Sequence, residues 1–128
     1  MTTAARRKRG TTQPKPKIQM IDVVLQSLGD AKAENTVAVD MRGRSPLADH
    51  MVVATGRSHR HVAAVAEQVM RALKEKGFGN ARVEGLRQAD WVLVDAGDVI
   101  VHVQRPEVRD FYNLEKIWAA DIPSAESR

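Results

Sequence analysis

A β-hairpin in the carboxyl-terminal third is the sequence feature that most constrains the fold. Two apolar runs, Trp91–Val94 and Val99–Val103, flank the four residues Asp95–Asp98. Gly97 supplies the positive φ that such a tight connection requires, so the pattern predicts two antiparallel strands joined by a short loop. Any fold of this chain must therefore contain a sheet.

Three further segments are predicted as strands. Thr36–Met41 ends before Gly43 and Pro46, and Ala81–Glu84 is short. Met51–Ala54 is apolar at every position, which is typical of a strand that is covered on both faces. The chain thus supplies about five strands.

Helical spacing of apolar residues predicts two long helices. The first begins near Ile18, fades near Gly29 and has an inner stripe made of Ile21, Val24, Leu25 and Leu28. The second is capped by Ser58, ends at Gly77 and has an inner stripe made of Val62, Val65, Ala66, Val69, Met70 and Leu73. A short helix over residues 107–111 follows the last strand. The order α, β, β, α, β, β, β, α predicts an α/β fold, a mixed sheet of about five strands flanked by helices.

The length of 128 residues predicts one domain, at 18–120, between a disordered basic tail at 1–17 and a frayed end at 121–128. The tail holds six cations and no acid, whereas residues 18–128 hold fourteen cations and sixteen acids, a charge of about −2. This mildly acidic body suits a basic protein partner, and the tail alone is suited to weak contact with RNA. An organellar transit peptide is the alternative interpretation of the tail.

Composition excludes several kinds of site. Without cysteine the chain forms no disulfide, thiol nucleophile, zinc–thiolate site or iron–sulfur cluster. No apolar run approaches the roughly 20 residues that a membrane helix needs, and the first residues lack the apolar region of a secretory signal. We therefore expect a cytoplasmic protein with no cofactor and no membrane partner.

Two local patterns have both a chemical and a structural interpretation. Gly56–Ser58 precedes a helix and could hold an anion, but a tight turn with an N-cap explains it equally well. Asp95, Asp98 and His102 could form a metal or acid–base site, but turns favour aspartate for backbone hydrogen bonds, and no third carboxylate completes a divalent site. No nucleophile elbow of a serine hydrolase is present. The sequence therefore indicates no catalytic set.

The segment Phe111–Trp118 is rich in aromatic residues. It holds three of the five aromatic residues in the chain, together with Leu114 and Ile117. Aromatic residues are enriched at protein interfaces and dominate their binding energy. The segment is predicted to be divided about evenly between core and contact surface.

Four motifs occur in order along the chain: DHMVVATGRS at 49–58, VEGL at 83–86, DWVLVDAGDVIVH at 90–102 and RDFYNLEKIW at 109–118. Together they resemble the ribosomal silencing factor (Iojap-related) family over about residues 18–120. The resemblance implies a five-stranded mixed sheet similar to the nucleotidyltransferase fold, without catalytic residues.

The resemblance also implies a function. The chain is expected to be a non-enzymatic translational repressor that binds the large ribosomal subunit through its fourteenth protein. There it sterically blocks association with the small subunit in starvation or stationary phase. A large-subunit assembly factor, as among the organellar members, is the alternative. A nucleotidyltransferase-like enzyme is a third possibility. Active members of that fold place Gly and Ser side by side before a helix, but here Arg57 separates Gly56 from Ser58. The next strand carries only Glu84, so the paired carboxylates that two-metal phosphoryl transfer needs are missing.

One partner-binding surface is predicted for this role. Its residues are Trp91, Asp95, Asp98, His102, Arg109, Tyr112, Leu114 and Glu115. The three carboxylates attract a basic ribosomal protein, while the aromatic rings and the leucine anchor it. The apolar and aromatic excess near the chain end also predicts a homodimer when the protein is free.

Overall fold

The computed structural model describes residues 18–119, without the side chains of 118 and 119. Within this range the strands are β1 (Glu34–Asp40), β2 (His50–Thr55), β3 (Arg82–Glu84), β4 (Trp91–Asp95) and β5 (Val99–Gln104). The helices are α1 (Met20–Asp30), α2 (His59–Glu75), α3 (Pro106–Tyr112) and α4 (Leu114–Ala119). The predicted disordered tail at 1–17 and the predicted frayed end at 121–128 lie outside the described residues.

All five strands form one mixed sheet in the order β1-β2-β5-β4-β3. β2 and β5 are parallel, and the other neighbours are antiparallel. The register places Thr55, Gln104 and Trp91 side by side at one end of the sheet, and Asp95 beside Ile100 near the other. The predicted α/β fold with a mixed five-stranded sheet is confirmed.

α1 and α2 cover one face of the sheet and build the main core with it. Five residues of the predicted inner stripe of α2 are buried and pack against the valines of β2, β4 and β5, while Met70, also predicted to point inward, is partly buried. Ser58 Oγ accepts a hydrogen bond from the backbone N–H of His61 at 3.1 Å, which confirms the predicted N-cap. Within residues 18–119, no helix combines the length and the hydropathy needed to span a bilayer.

α1 docks on a stripe that overlaps the predicted one, because Val24 and Leu28 are buried as predicted and Ile21 packs against the core. Its buried residues are Val23, Val24, Ser27 and Leu28, whereas Leu25, predicted to point inward, is 37% exposed. Because Val23 and Ser27 both reach the core, the helix is rotated about its axis and Leu25 lies on the flank. The spacing of apolar residues alone does not show that Ser27, whose hydroxyl donates to the Val24 carbonyl at 2.9 Å, faces the core in place of Leu25.

The opposite face of the sheet, which we call the open face, is covered only in part. Val39, Met41, Met51 and Val53 form a small buried cluster on it, and α4 contacts β1. Leu93, Ile100 and His102 on this face are only partly buried. The short helix predicted over 107–111 is observed as α3. The chain then turns at Asn113, in the left-handed region with φ 51°, and continues as α4.

Candidate functional site

Four rings stand in contact on the open face, and we call them the aromatic cluster: Trp91, His102, Phe111 and Tyr112. The ring centres of Trp91 and Tyr112 are 4.8 Å apart, and Phe111 packs edge-on against Tyr112 at 4.9 Å. The indole Nε1–H of Trp91 donates a hydrogen bond to His102 Nδ1 at 3.0 Å. The cluster therefore joins β4, β5 and α3 into one surface.

The outer half of the aromatic cluster faces solvent. Phe111 is 80% exposed and Tyr112 is 52% exposed, and Ile117 on the adjacent α4 is also exposed. Phe111 and Tyr112 are in ring contact, and adjoining exposed apolar side chains of this kind are typical of an interaction site. Phe111 and Ile117 are absent from the residue set predicted from the sequence. The aromatic density of the segment indicated a contact surface, but two short helices give too few turns to show which side chains point outward.

His102 supports the inner edge of the cluster as a neutral ring. Burial lowers the pKa of His102 from 6.5 to about 4. The neutral form is required because Nδ1 accepts the indole proton, so that the ring proton lies on Nε2. This hydrogen bond holds the indole of Trp91 against the sheet.

A shallow groove of about 340 Å³ runs beside Trp91, lined by Glu84, Gly85, Trp91, Leu93 and His102. Gly85 has φ +84°, and a Cβ at this position would overlap the Trp91 carbonyl. Glycine therefore lets the loop after β3 approach β4 closely. The groove is open enough to receive a side chain of a partner, with the Glu84 carboxylate at its edge.

Arg109 and Glu115 are turned toward each other rather than toward solvent. Arg109 Nη2 and Glu115 Oε2 are 2.8 Å apart, and Arg109 is buried. Burial raises the pKa of Glu115, but the hydrogen bonds and charge of Arg109 outweigh it, and the net pKa is lowered. Glu115 is therefore ionised inside a pair. The contact of these two residues with a partner stays a prediction.

The hairpin carboxylates lie away from the aromatic cluster. Asp95 is four residues along β4 from Trp91, and at about 3.3 Å per residue the two are about 13 Å apart. Asp95 Oδ1 accepts a hydrogen bond from the Gly97 N–H at 2.9 Å, the local turn role. Asp98 is exposed. Of the predicted residues, Asp95 and Asp98 thus lie at the hairpin, and three rings belong to the aromatic cluster. Arg109 and Glu115 form the ion pair described above, and Leu114, which is partly buried, precedes Glu115 in the chain.

The histidines near the start of α2 have structural contacts. His59 Nδ1 lies 3.0 Å from the Gln88 carbonyl. His61 Nδ1 accepts from the Arg57 N–H at 3.0 Å, while its Nε2 lies 2.9 Å from the Ala31 carbonyl. Both rings fasten α2 to neighbouring segments. Over residues 18–119, no group of three or more His, Asp or Glu side chains is placed to hold a metal ion.

Comparison with known proteins decides the family. A family model described as "Ribosomal silencing factor during starvation" matches residues 14–128. The chain belongs to the ribosomal silencing factor family. Ribosomal silencing factor RsfS of Zymomonas mobilis is 43% identical over 112 residues, which cover 84% of each chain. A crystal structure of a protein from Chromobacterium violaceum superimposes with a TM-score of 0.76 at 41% identity, covering 78% of this chain and 83% of that one.

A mouse relative extends the comparison to organelles. It is named mitochondrial assembly of ribosomal large subunit protein 1 and is 29% identical over 101 residues, covering 77% of this chain and 44% of the mouse protein. Membership of the ribosomal silencing factor family supports a ribosome-associated, regulatory role for this chain. The exposed rings of α3 lie within the last of the four motifs that resemble the family.

Proposed function

We propose that this chain binds the fourteenth protein of the large ribosomal subunit through the open face of its sheet. The bound chain occupies the space that the small subunit needs, in the cytoplasm of starved or stationary-phase cells. The exposed aromatic cluster is the observation that supports this choice of surface. Steric occlusion requires binding energy and no catalytic group.

The aromatic cluster suits a macromolecular partner. A standard interface buries about 800 Å² on each side, and a few central anchors supply most of its energy. Phe111, Tyr112 and Ile117 are such anchors, exposed on two consecutive helices. Trp91 and Tyr112 are already in ring contact in the free chain. They therefore lose little conformational freedom when a partner covers them.

The charge of the hairpin favours a basic partner. Residues 18–119 hold thirteen cations and fourteen acids, so the described body has no cationic excess. Asp98 is exposed at the hairpin, and Asp95 lies on the same strand as Trp91. Complementary charge raises the association rate and orients the partner, while covered aromatic rings slow dissociation. The two groups of residues therefore have separate roles in one interface.

The proposal is tested by competition between ribosomal subunits. Purified large and small subunits are mixed with Mg²⁺, and their association is followed by light scattering. Prior addition of this chain to the large subunit should lower the scattering. Calorimetry then measures binding to the isolated fourteenth protein, and Tyr112→Ala should weaken it by about 30-fold, or about 2 kcal/mol.

Leu25→Ala is the matched control, because Leu25 is a partly exposed leucine on α1, in the layer on the other side of the sheet. It should bind as the wild type does. Equal affinity of folded Tyr112→Ala and wild type contradicts the assigned surface. Unchanged subunit association at saturating protein contradicts occlusion.

Large-subunit assembly is the second candidate function, favoured by the name of the mouse relative. It uses the same surface and differs in its cellular result. Sucrose gradients of cells that lack this chain should show immature large subunits if it assists assembly. Normal subunits with excess translation during starvation indicate silencing.

The exposed cluster also suits a second copy of the chain, and we propose a homodimer in the free state. Light scattering should report twice the mass of one chain at micromolar concentration, and Phe111→Ala should shift the equilibrium toward the monomer. A wild-type monomer across this range contradicts the dimer.

A further inference from the structure

α3 docks on the sheet through a charged side chain. Arg109 is the one buried residue of this helix, at 8% exposure, while its aromatic residues Phe111 and Tyr112 face outward. A helix on a protein surface ordinarily turns an apolar stripe inward and polar residues outward. In α3 the most buried side chain is the charged one, while Val108 is partly buried and Tyr112 packs on Trp91. The position of the helix therefore depends on the contacts of the guanidinium as well as on these two side chains.

The guanidinium of Arg109 ties four elements together. Its Nε and Nη2 donate to Glu115 Oε2 on α4 at 3.1 and 2.8 Å. Its Nη1 donates to Thr55 Oγ1 on β2 at 2.8 Å and to the Asn35 carbonyl on β1. The planar fork of an arginine makes these four bonds from three separate nitrogens, whereas a lysine has three donors on a single nitrogen and cannot make them all.

The backbone between Arg109 and Glu115 is arranged to close this contact. Asn113 takes the left-handed conformation, and its N–H donates to the Arg109 carbonyl at 2.7 Å. α4 therefore folds back after one residue and returns Glu115 to the guanidinium. The ion pair and the turn depend on each other.

The same helix carries the aromatic residues. Arg109 and Tyr112 are three residues apart on α3, so they are neighbours on the helix surface, and the position of one constrains the other. Tyr112 in turn contacts Trp91 on β4. A displacement of Arg109 relative to β1 and β2 must therefore move Tyr112 relative to Trp91.

We propose that Arg109 is the positioning residue of the partner-binding surface: it sets the contact of Tyr112 with Trp91 and does not itself touch the partner. The inference rests on the proposed function, because the surface it positions is the one assigned to the ribosomal protein. Glu115 acts with it by holding two of its donors.

Arg109→Lys tests the proposal, with Arg57→Lys as the matched control. Arg57 is also paired with a carboxylate, Glu34 at 3.2 Å, but the pair is exposed and lies outside α3. In the free protein, NMR should show the ring contact of Trp91 with Tyr112 lost in Arg109→Lys and kept in Arg57→Lys. Amide exchange in α2 and β2 should match the wild type in both.

Affinity for the fourteenth ribosomal protein supplies the second readout. Arg109→Lys should weaken binding by about as much as Tyr112→Ala, about 30-fold. The variant that combines Arg109→Lys with Tyr112→Ala should bind no more weakly than Tyr112→Ala alone, because both substitutions remove the same interaction with the partner. A residue with a merely structural role would not show this coupling.

Three results overturn the inference. Additive losses in the double variant, or weaker binding with the ring contact intact, make Arg109 a contact residue. Faster amide exchange throughout α2 makes it a general structural residue. If Arg109→Lys fails to fold, Glu115→Gln takes its place, because it weakens the hydrogen bonds of the same guanidinium. An unchanged ring contact of Trp91 with Tyr112 in Glu115→Gln refutes the positioning role of Arg109. If Tyr112→Ala binds as wild type, the proposed function fails, while the ring contact in the free protein still tests Arg109.

Discussion

Phe111→Ala is expected to separate binding from folding, because Phe111 is 80% exposed. A phenylalanine side chain offers on the order of 200 Å² of surface, of which about 160 Å² is then free to be covered. A partner that covers half of this area gains about 2 kcal/mol, or about 30-fold in Kd. The part already buried contributes about 1 kcal/mol to the free energy of unfolding.

Two measurements on each variant carry the test. Calorimetry gives Kd for the fourteenth ribosomal protein, and urea unfolding followed by circular dichroism gives the free energy of unfolding. Phe111→Ala should lose more binding free energy than free energy of unfolding. Leu25→Ala should show the reverse, because Leu25 lies on the flank of α1 and is more buried than Phe111.

Two results would refute this reasoning. An unchanged Kd for Phe111→Ala means that the exposed ring lies outside the interface. A loss of folding free energy as large as the loss of binding free energy means that the ring packs as a core residue in solution. Either result removes the aromatic cluster from the proposed interface while leaving the family assignment intact.

Four further changes have expected outcomes. Asp98→Lys should slow association with the basic partner and reduce its dependence on salt in stopped-flow measurements; an unchanged rate excludes the hairpin from the interface. Deletion of residues 1–17 should leave Tm nearly unchanged, and a loss of several degrees would show that the tail packs on the domain. Gly85→Ala should lower the free energy of unfolding by about 1–3 kcal/mol, because φ is +84° and the Cβ would overlap the Trp91 carbonyl. His102 has a pKa of about 4 in the folded chain against 6.5 for the free side chain. The contribution of His102 to the free energy of unfolding is therefore complete above pH 6.5, and it falls by about 1.4 kcal/mol per pH unit as the pH drops toward 4. In urea titrations, His102→Gln should flatten this dependence of the unfolding free energy on pH. Equal slopes in the variant and the wild type contradict the assignment.

Local patterns predicted the sheet and the second helix well. The hairpin from Trp91 to Gln104 depends on alternation and on Gly97, which are properties of adjacent residues. α2 carries five buried residues at helical spacing over 17 residues, long enough for its stripe to be unambiguous. Where pattern and length agree, sequence alone determines the element and its face.

Contacts between distant segments could not be predicted in this way. Arg109 reaches Asn35, 74 residues earlier, and Thr55, 54 residues earlier. Nothing in the spacing of α3 indicates that its arginine points inward and its aromatic residues outward. Propensity and pattern favour the opposite arrangement, whereas Arg109 is held inward by the partly buried ion pair with Glu115 and by its bonds to Thr55 and Asn35. The candidate site was therefore predicted in its residue types but not in its orientation.

The distance between the hairpin carboxylates and the exposed aromatic rings limits the kind of partner that the open face can bind. Trp91 and Asp95 are about 13 Å apart along β4, and the groove between β3 and β5 is shallow. The lining of this groove does not include Phe111, Ile117 or the hairpin carboxylates, so a small molecule seated there would not contact them. A protein surface of ordinary interface size covers both groups at once. Such a surface uses the carboxylates to orient its approach and the rings to remain bound. The geometry of this chain thus favours a macromolecular partner over a ligand or substrate, which agrees with the proposal that it acts by occlusion.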